Sequence, residues 1–280
     1  MKNLKKIKSL MIIISVLTII SGCTYNYDNK TCKKKFSKSW GNDETELIKE
    51  TKVISLDNVE KVNTKIIMSA GKLLIKEDSV SLLKAAFAYN NEDWKPRVRY
   101  EVIDSLGVLK ILPAKIPKTD DDEEHINIKN VWDIHLSNKV PMDLSLKFGA
   151  GDGDLYLGNL LLENLDIKLG AGSVLVDLKN SRKLSELNLK MGVGETTIDL
   201  SGDISTDLDA SIEGGIGQFT LILPKNIGTK VSVKRGIAKI EADDFIKKGN
   251  TYKNDVYGDT EVTLNIHIRA GIGNVDLKLE

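Results

Sequence analysis

The chain has 280 residues, and its 40 basic and 40 acidic side chains balance to a formal charge of zero. That balance removes any global charge argument for nucleic acid, and aromatic residues at only 5% leave a base-stacking surface without support. Two cysteines cannot build the disulfide framework of a small secreted scaffold.

The amino terminus carries an address. Lys2, Lys5, Lys6 and Lys8 precede an apolar run, Leu10 to Ile20, that ends at Ser21-Gly22-Cys23. A charged start, an apolar stretch of about 7–15 residues and small residues at the cut describe a secretory signal peptide. The run is shorter than the roughly 20 apolar residues that a transmembrane helix needs. Ile20-Ser21-Gly22-Cys23 also resembles a bacterial lipobox. That resemblance implies cleavage after residues 1–22, a lipid on the Cys23 sulfur, and a mature chain anchored at the extracytoplasmic face of the cell membrane. Losing four lysines with the leader sets the mature formal charge at −4. Cys32 is then left without a partner inside the chain, and no cysteine pair remains for a zinc site of the usual kind. Residues 23–50 read as the lipidated cysteine and a polar tether. Its Lys30, Lys33, Lys34, Lys35 and Lys38 suit either a path along an anionic lipid surface or an ordinary soluble spacer.

Residues 51–141 read as a first β domain with loose repeats. Ile66-Ile67-Met68-Ser69-Ala70-Gly71-Lys72-Leu73-Leu74-Ile75 has the form of one rung, and Tyr100 to Ile111 that of another with ambiguous register. Val80 to Tyr89 fits either a short helix or a buried strand. Pro96 argues against a central strand at its position. Asp120-Asp121-Asp122-Glu123-Glu124 is a solvated loop, because adjacent carboxylates repel and lack the ligand spacing and turn glycine of a calcium loop. Trp132, Ile134 and Leu136 then alternate, with Trp132 placed to cover the end of a stack or fill a seam.

Residues 142–280 repeat one phrase six times. Gly149-Ala150-Gly151, Gly170-Ala171-Gly172, Gly192-Val193-Gly194, Gly215-Ile216-Gly217, Gly236-Ile237-Ala238 and Gly271-Ile272-Gly273 recur at intervals of 21, 22, 23, 21 and 35 residues. Apolar residues alternate on both sides of each triplet, as in strands. The residue after each triplet is polar: Asp152, Ser173, Glu195, Gln218, Lys239 and Asn274. The period is too short for a strand plus a crossover helix, which needs about 30 residues. It suits short strands joined by turns and stacked about 4.8 Å apart. The fold class expected is therefore all-β, a parallel β-solenoid with the glycines at one corner. An antiparallel sandwich with glycine turns is the alternative.

Family features appear in the same segments. Leu82-Leu83-Lys84-Ala85-Ala86-Phe87-Ala88-Tyr89, Trp94-Lys95-Pro96, Tyr100-Glu101-Val102 and Leu109-Lys110-Ile111 resemble the amino-terminal toast-rack domain. Trp132-Asp133-Ile134-His135-Leu136, Pro141-Met142-Asp143-Leu144 and Gly149-Ala150-Gly151 fit the same family. The region from Ile54 to Glu280 is similar to the carboxy-terminal domains of cell-wall-active antibiotics response proteins and to "putative adhesin" repeats. The resemblance implies an all-β, envelope-associated protein, some of whose relatives take part in envelope-stress signalling. A lipid anchor in place of several transmembrane helices sets this chain apart from the membrane-spanning members.

Chemistry is sparse. Asp177 and Asp199 hold the same place in successive repeats and could lie about 5 Å apart, within the carboxylate spacing of a glycosidase. No histidine, arginine clamp or aromatic platform accompanies them, so a solvated edge is the simpler reading. His125, His135 and His267 are too scattered for about four converging zinc ligands. The triplets lack the following helix and Lys-Ser/Thr of a phosphate loop. No catalytic residue, metal or cofactor is expected. The suggestive feature is one outward column, Lys147, Lys168, Lys190, Glu213, Lys234 and Arg269, forming a cationic stripe about 25 Å long at the usual strand spacing. Anionic cell-wall polymer, phospholipid headgroups or another envelope protein are the partners it suggests. Lysines that merely discourage sheet aggregation are the alternative. The functions expected, in order, are a lipid-anchored binding, scaffold or stress-related envelope module, a cell-surface adhesin, and a carbohydrate-active enzyme.

Overall fold

The computed structural model describes residues 47–114 and 129–280. The acidic run at residues 120–124, His125, Cys23, Cys32 and the lysine-rich tether lie outside them. Fifteen strands run in chain order through the described residues: β1 Ile48–Ser55, β2 Lys61–Asp78, β3 Ser81–Tyr89, β4 Pro96–Ile103, β5 Leu106–Pro113, β6 Asn130–Ser137, β7 Met142–Tyr156 and β8 Leu162–Asp177. They continue as β9 Glu186–Asp199, β10 Leu208–Glu213, β11 Ile216–Leu223, β12 Gly228–Glu241, β13 Ile246–Lys248, β14 Thr251–Lys253 and β15 Thr263–Leu279. One 3-10 turn, Glu92–Trp94, is the only helical element among them. The molecule is all-β.

The long strands each carry a glycine corner, and the corner decides which side chains meet. In β8, Leu165 and Ile167 are buried before it, and Val174 and Val176 after it. Val174 follows Ile167 by seven positions, an odd step that would put the two on opposite faces of an uninterrupted strand. The change of face occurs around Gly172, whose φ of +133° lies where an L side chain is strained. Both arms of the strand therefore contribute to one core. The buried side chains form a single cluster that includes Val62, Leu146, Val176, Leu221 and Leu277.

Glycine is also dictated by the neighbouring strand. A β-carbon on Gly172 would lie 1.9 Å from the carbonyl oxygen of Gly151, and one on Gly170 2.0 Å from that of Gly149. The backbones at the corner touch, and no side chain fits between them. This contact sets the register: Gly71, Gly151, Gly172, Gly194, Gly217 and Gly273 pair in one continuous line. Ser69-Ala70-Gly71 in β2 is thus a further copy of the triplet, as the rung expected at Ile66 to Ile75 requires. Pairing of β2 with β7 runs from Val62–Met142 to Ile75–Leu155, so the sheet is continuous across residues 141 and 142.

The order of strands departs from the order of copies. Parallel pairing runs β2, β7, β8, β9, then β10 with β11, then β15, and only then β12. The last triplet, Gly271-Ile272-Gly273, is inserted between the fourth and the fifth. The fifth copy explains why. Ala238 replaces the third glycine and does not adopt positive φ, and exposed Arg235 stands in a column that is otherwise apolar or glycine. Such a copy suits the outer position, while β15, with Gly273 at φ +133°, suits the inner one. The interval of 35 residues before the last triplet holds the β13–β14 hairpin and the return path.

Antiparallel strands finish the stack. Beyond β2, the next layer is shared: β5 pairs with its first arm and β6 with its second. The Tyr100 to Ile111 segment is therefore half a rung preceded by an antiparallel edge strand, not a whole one. Pro96 opens that edge strand, β4, in keeping with its missing N–H. Residues 81–89 form strand β3, which settles the choice between helix and strand. Trp132 is an interior residue, 1% exposed, packed edge-on against Phe87 with ring centroids 5.4 Å apart. Its indole N–H donates to Asn130 Oδ1 at 3.0 Å, and the Asn130 amide donates to the Ala70 carbonyl at 2.7 Å, tying the first corner to its cap.

The corner contact predicts a sharp position dependence. Gly172→Ala should destabilise by more than the about 1–3 kcal/mol of backbone strain alone, because its β-carbon also meets the Gly151 carbonyl. Ser173→Ala, one exposed position on, should change stability by no more than about 0.5 kcal/mol. Leu178→Ala, at a fully buried site, should cost about 2–5 kcal/mol. Denaturant unfolding of the three variants checks the ranking, and equal midpoints for Gly172→Ala and Ser173→Ala would refute it.

Candidate functional site

Three lines of side chains run along the stack beside the glycine corner. On the first arm the basic column is in register, in the spatial order Lys147, Lys168, Lys190, Glu213, Arg269, Lys234. The insertion of β15 exchanges the last two relative to their order in the chain. All five basic residues are exposed. Glu213 sits in the middle and binds on both sides: Lys190 Nζ is 2.9 Å from Oε2 and Arg269 Nη1 is 3.5 Å from Oε1. The Lys190 hydrogen bond, with the charge of Arg269, holds the Glu213 carboxyl below the usual carboxylate range. Lys168 lies 3.4 Å from Asp166 of its own strand. Lys147 and Lys234 pair with no carboxylate among the described residues. The line stays cationic, with its charge least compensated at its two ends.

On the second arm, Asp152, Ser173, Glu195, Gln218, Asn274 and Lys239 form the polar column, and all are exposed. Between these columns, at the corner itself, the middle residues of the triplets make a third line: Ala70, Ala150, Ala171, Val193, Ile216, Ile272, Ile237. The sequence reading passed over this line, although its signal was present in the triplets' middle letter.

The paired carboxylates have a structural use. Asp177 and Asp199 are directly opposite each other on β8 and β9. Asp199, however, is buried rather than part of a solvated edge. Its Oδ1 accepts from the Ser201 N–H at 3.0 Å and the Ser201 hydroxyl at 2.7 Å, while Oδ2 is 3.0 Å from Lys179 Nζ. Asp177 Oδ1 accepts from the Lys179 N–H at 3.0 Å. Together they fasten the turns that follow β8 and β9. The Asp199 hydrogen bond raises the Lys179 pKa, so its contribution is present at neutral pH and is lost only as pH rises through the folded-state value. His135 Nε2 is 3.0 Å from Asp133 Oδ1 on its own strand, and His267 is exposed on β15. No group of three or more His, Cys, Asp or Glu side chains among the described residues could hold a metal ion.

An all-β chain whose strands stack through glycine corners defines a structural class, and the sequence assigns the family. Residues 42–185 and 180–222 match the N-terminal domain of toast_rack, DUF2154, and the chain belongs to that family. A protein from Clostridium sporogenes described as a "putative cell adhesion protein" is similar in structure, with 31% identity, a TM-score of 0.62 and coverage of 83% of this chain and 99% of that one. A "putative adhesin" from Bacteroides fragilis is 10% identical, with a TM-score of 0.30 and coverage of 82% and 96%. Another from Parabacteroides distasonis is 13% identical, with a TM-score of 0.27 and coverage of 84% and 98%. No curated protein matches the sequence.

The two aspartates should separate in mutagenesis. Asp199→Ala leaves both Ser201 donors unmatched in a buried site and should cost about 1–3 kcal/mol. Asp177→Ala, at a half-buried position, should cost less than about 1 kcal/mol. Urea titration of both variants measures the difference, and equal losses would contradict the structural role given to Asp199.

Proposed function

We propose that this protein is a non-catalytic binding module of the bacterial cell envelope, built as a parallel β-solenoid and held at the outer face of the membrane by lipid on Cys23. Its basic column engages an anionic wall polymer. The fold reading is supported by the in-register parallel line of corners from Gly71 to Gly273. Support for the anchor comes from the order of lysines, apolar run and small residues that ends at Cys23. The observation that carries the binding function is the outward alignment of Lys147, Lys168, Lys190, Arg269 and Lys234 on neighbouring strands of a chain whose mature form has a formal charge of −4.

A repeating polyanion suits such a line. Charges set about 4.8 Å apart in the hydrogen-bonding direction present a linear field, whose attraction for exposed anions is screened over about 8 Å at physiological ionic strength. Lys147 and Lys168 are the adjacent pair that Glu213 leaves open, Lys168 having only Asp166 at 3.4 Å, whereas Glu213 already occupies Lys190 and Arg269. A second reading, adhesion to another cell or envelope protein, is favoured by the 31% identical Clostridium sporogenes protein described as a "putative cell adhesion protein".

Binding of the full chain to purified anionic wall polymer tests the proposal. Affinity should fall as salt rises, and Lys147→Glu with Lys168→Glu should weaken it while leaving the melting curve nearly unchanged. Lys33→Glu with Lys34→Glu in the tether is the control. Equal binding by the two double variants would remove the column's function and leave adhesion as the reading to pursue.

A further inference from the structure

The apolar line at the corner is graded. It begins as Ala70, Ala150 and Ala171 and becomes β-branched toward the β12 end, where Val193, Ile216, Ile272 and Ile237 stand on consecutive strands. They are 56%, 54%, 49% and 79% exposed. Single exposed apolar side chains are ordinary, but four in unbroken succession are a surface feature. Their position is fixed by the glycine contact: flanked by glycines whose neighbours leave no room inward, the middle side chain of each interior triplet points outward.

Five cations border this end of the line. Lys190, Arg269, Lys234 and Arg235 lie on the first-arm side of the β-branched residues, and Lys239 lies just beyond Ile237 on the other. All five are exposed. Three carboxylates stand among these cations: Glu213 engages Lys190 and Arg269, Glu241 engages Lys239, and Glu195 follows the Val193 triplet, so Lys234 and Arg235 supply the uncompensated charge of this end. Aliphatic tips bordered by lysine and arginine are the arrangement by which interfacial elements bind anionic lipid, the tips entering about 5–10 Å and the cations meeting headgroups. The interior corners also bring little unpaired backbone with them, because neighbouring strands are bonded through the turn; the Ile272 N–H donates to the Gly215 carbonyl at 2.9 Å. A polar backbone left unpaired would oppose entry into lipid.

We propose that the Val193, Ile216, Ile272 and Ile237 ridge docks onto an anionic bilayer, with Lys234 and Arg235 at the headgroups. This places the β12 end of the corner against the membrane and leaves Lys147 and Lys168, at the alanine end, available to another anion. The docking does not depend on polymer binding by those two lysines.

Tryptophan reporters in the full chain test it, because the common background from the native tryptophans and any lipid anchor is the same in each. Ile272→Trp and Tyr156→Trp, the second at an exposed position on the outer face of the second arm, are reconstituted with vesicles of phosphatidylglycerol and phosphatidylcholine containing lipid brominated near the headgroup. Ile272→Trp should show blue-shifted emission and stronger quenching than Tyr156→Trp, and the difference should shrink in pure phosphatidylcholine. Lys147→Glu with Lys168→Glu should leave that difference in place even if it abolishes polymer binding. Ile237→Trp, at the most exposed of the four positions, provides a second reporter should Ile272→Trp unfold. Equal quenching at the ridge and at Tyr156→Trp would overturn the proposal. A blue shift of the ridge reporter that rises with protein concentration in the absence of vesicles would also overturn it, assigning the ridge to contact between copies.

Discussion

The contact between backbones at the glycine corner is the constraint on which the rest of the structure depends. With about 2 Å between a would-be β-carbon and the carbonyl oxygen of the neighbouring strand at the interior corners, as at Gly172 and Gly151, only hydrogen fits. The contact locks neighbouring strands in register, and register places every other column. A slip by one residue would exchange the core and solvent faces of both arms. Leu165, Ile167, Val174 and Val176 stay inside, Lys168 and Ser173 stay outside, and Ala171 lies at the edge, because the corner holds all of them to one alignment.

Much of this was legible in the sequence, because a backbone contact that repeats must leave a repeating glycine. Alternation around the triplets located both arms, and the polar residue after each triplet proved exposed in all six copies. Spatial order is not carried by the periodicity, which fixes what a copy looks like and not which copy lies beside it. The information was nevertheless present in Ala238 and Arg235, which mark the fifth copy as unfit for an interior place. Asp199 was harder to place. Its burial depends on the turn after β9 folding back so that Ser201 and Lys179 can reach it, and no strand periodicity reports the path of a turn. Trp132 likewise gained its interior position from β3, an antiparallel strand whose helix-or-strand identity the local pattern left open.

The same corner separates the surface into chemically different lines. Alternation would suffice to sort apolar from polar residues, but it would not align lysine with lysine across strands; shared register does that. Glu213 then limits the column by engaging two of its cations, and Asp166 stands 3.4 Å from Lys168, so the uncompensated charge lies at Lys147 and Lys234 rather than being spread evenly. The middle letter of the triplet is under no packing constraint from the core, which leaves it open to carry function. Its change from alanine to isoleucine along the stack, together with the gathering of arginine and lysine at the isoleucine end, gives the corner a direction that the repeat itself does not require.

Strand order at the β12 end tests the account most directly, because it follows from the corner contact and contradicts chain order. Cysteines placed at Gln218, Lys239 and Asn274 in pairs, in a chain with Cys23 and Cys32 replaced, can be oxidised and mapped by mass spectrometry. Asn274 is the direct neighbour of both Gln218 and Lys239, so the pairs that include position 274 should form disulfides, which need α-carbons about 4.4–6.8 Å apart. The pair at 218 and 239, separated by an intervening strand, should not. Efficient linkage of 218 to 239, with none to 274, would mean that the copies stack in chain order and that the glycine contact does not govern the fold.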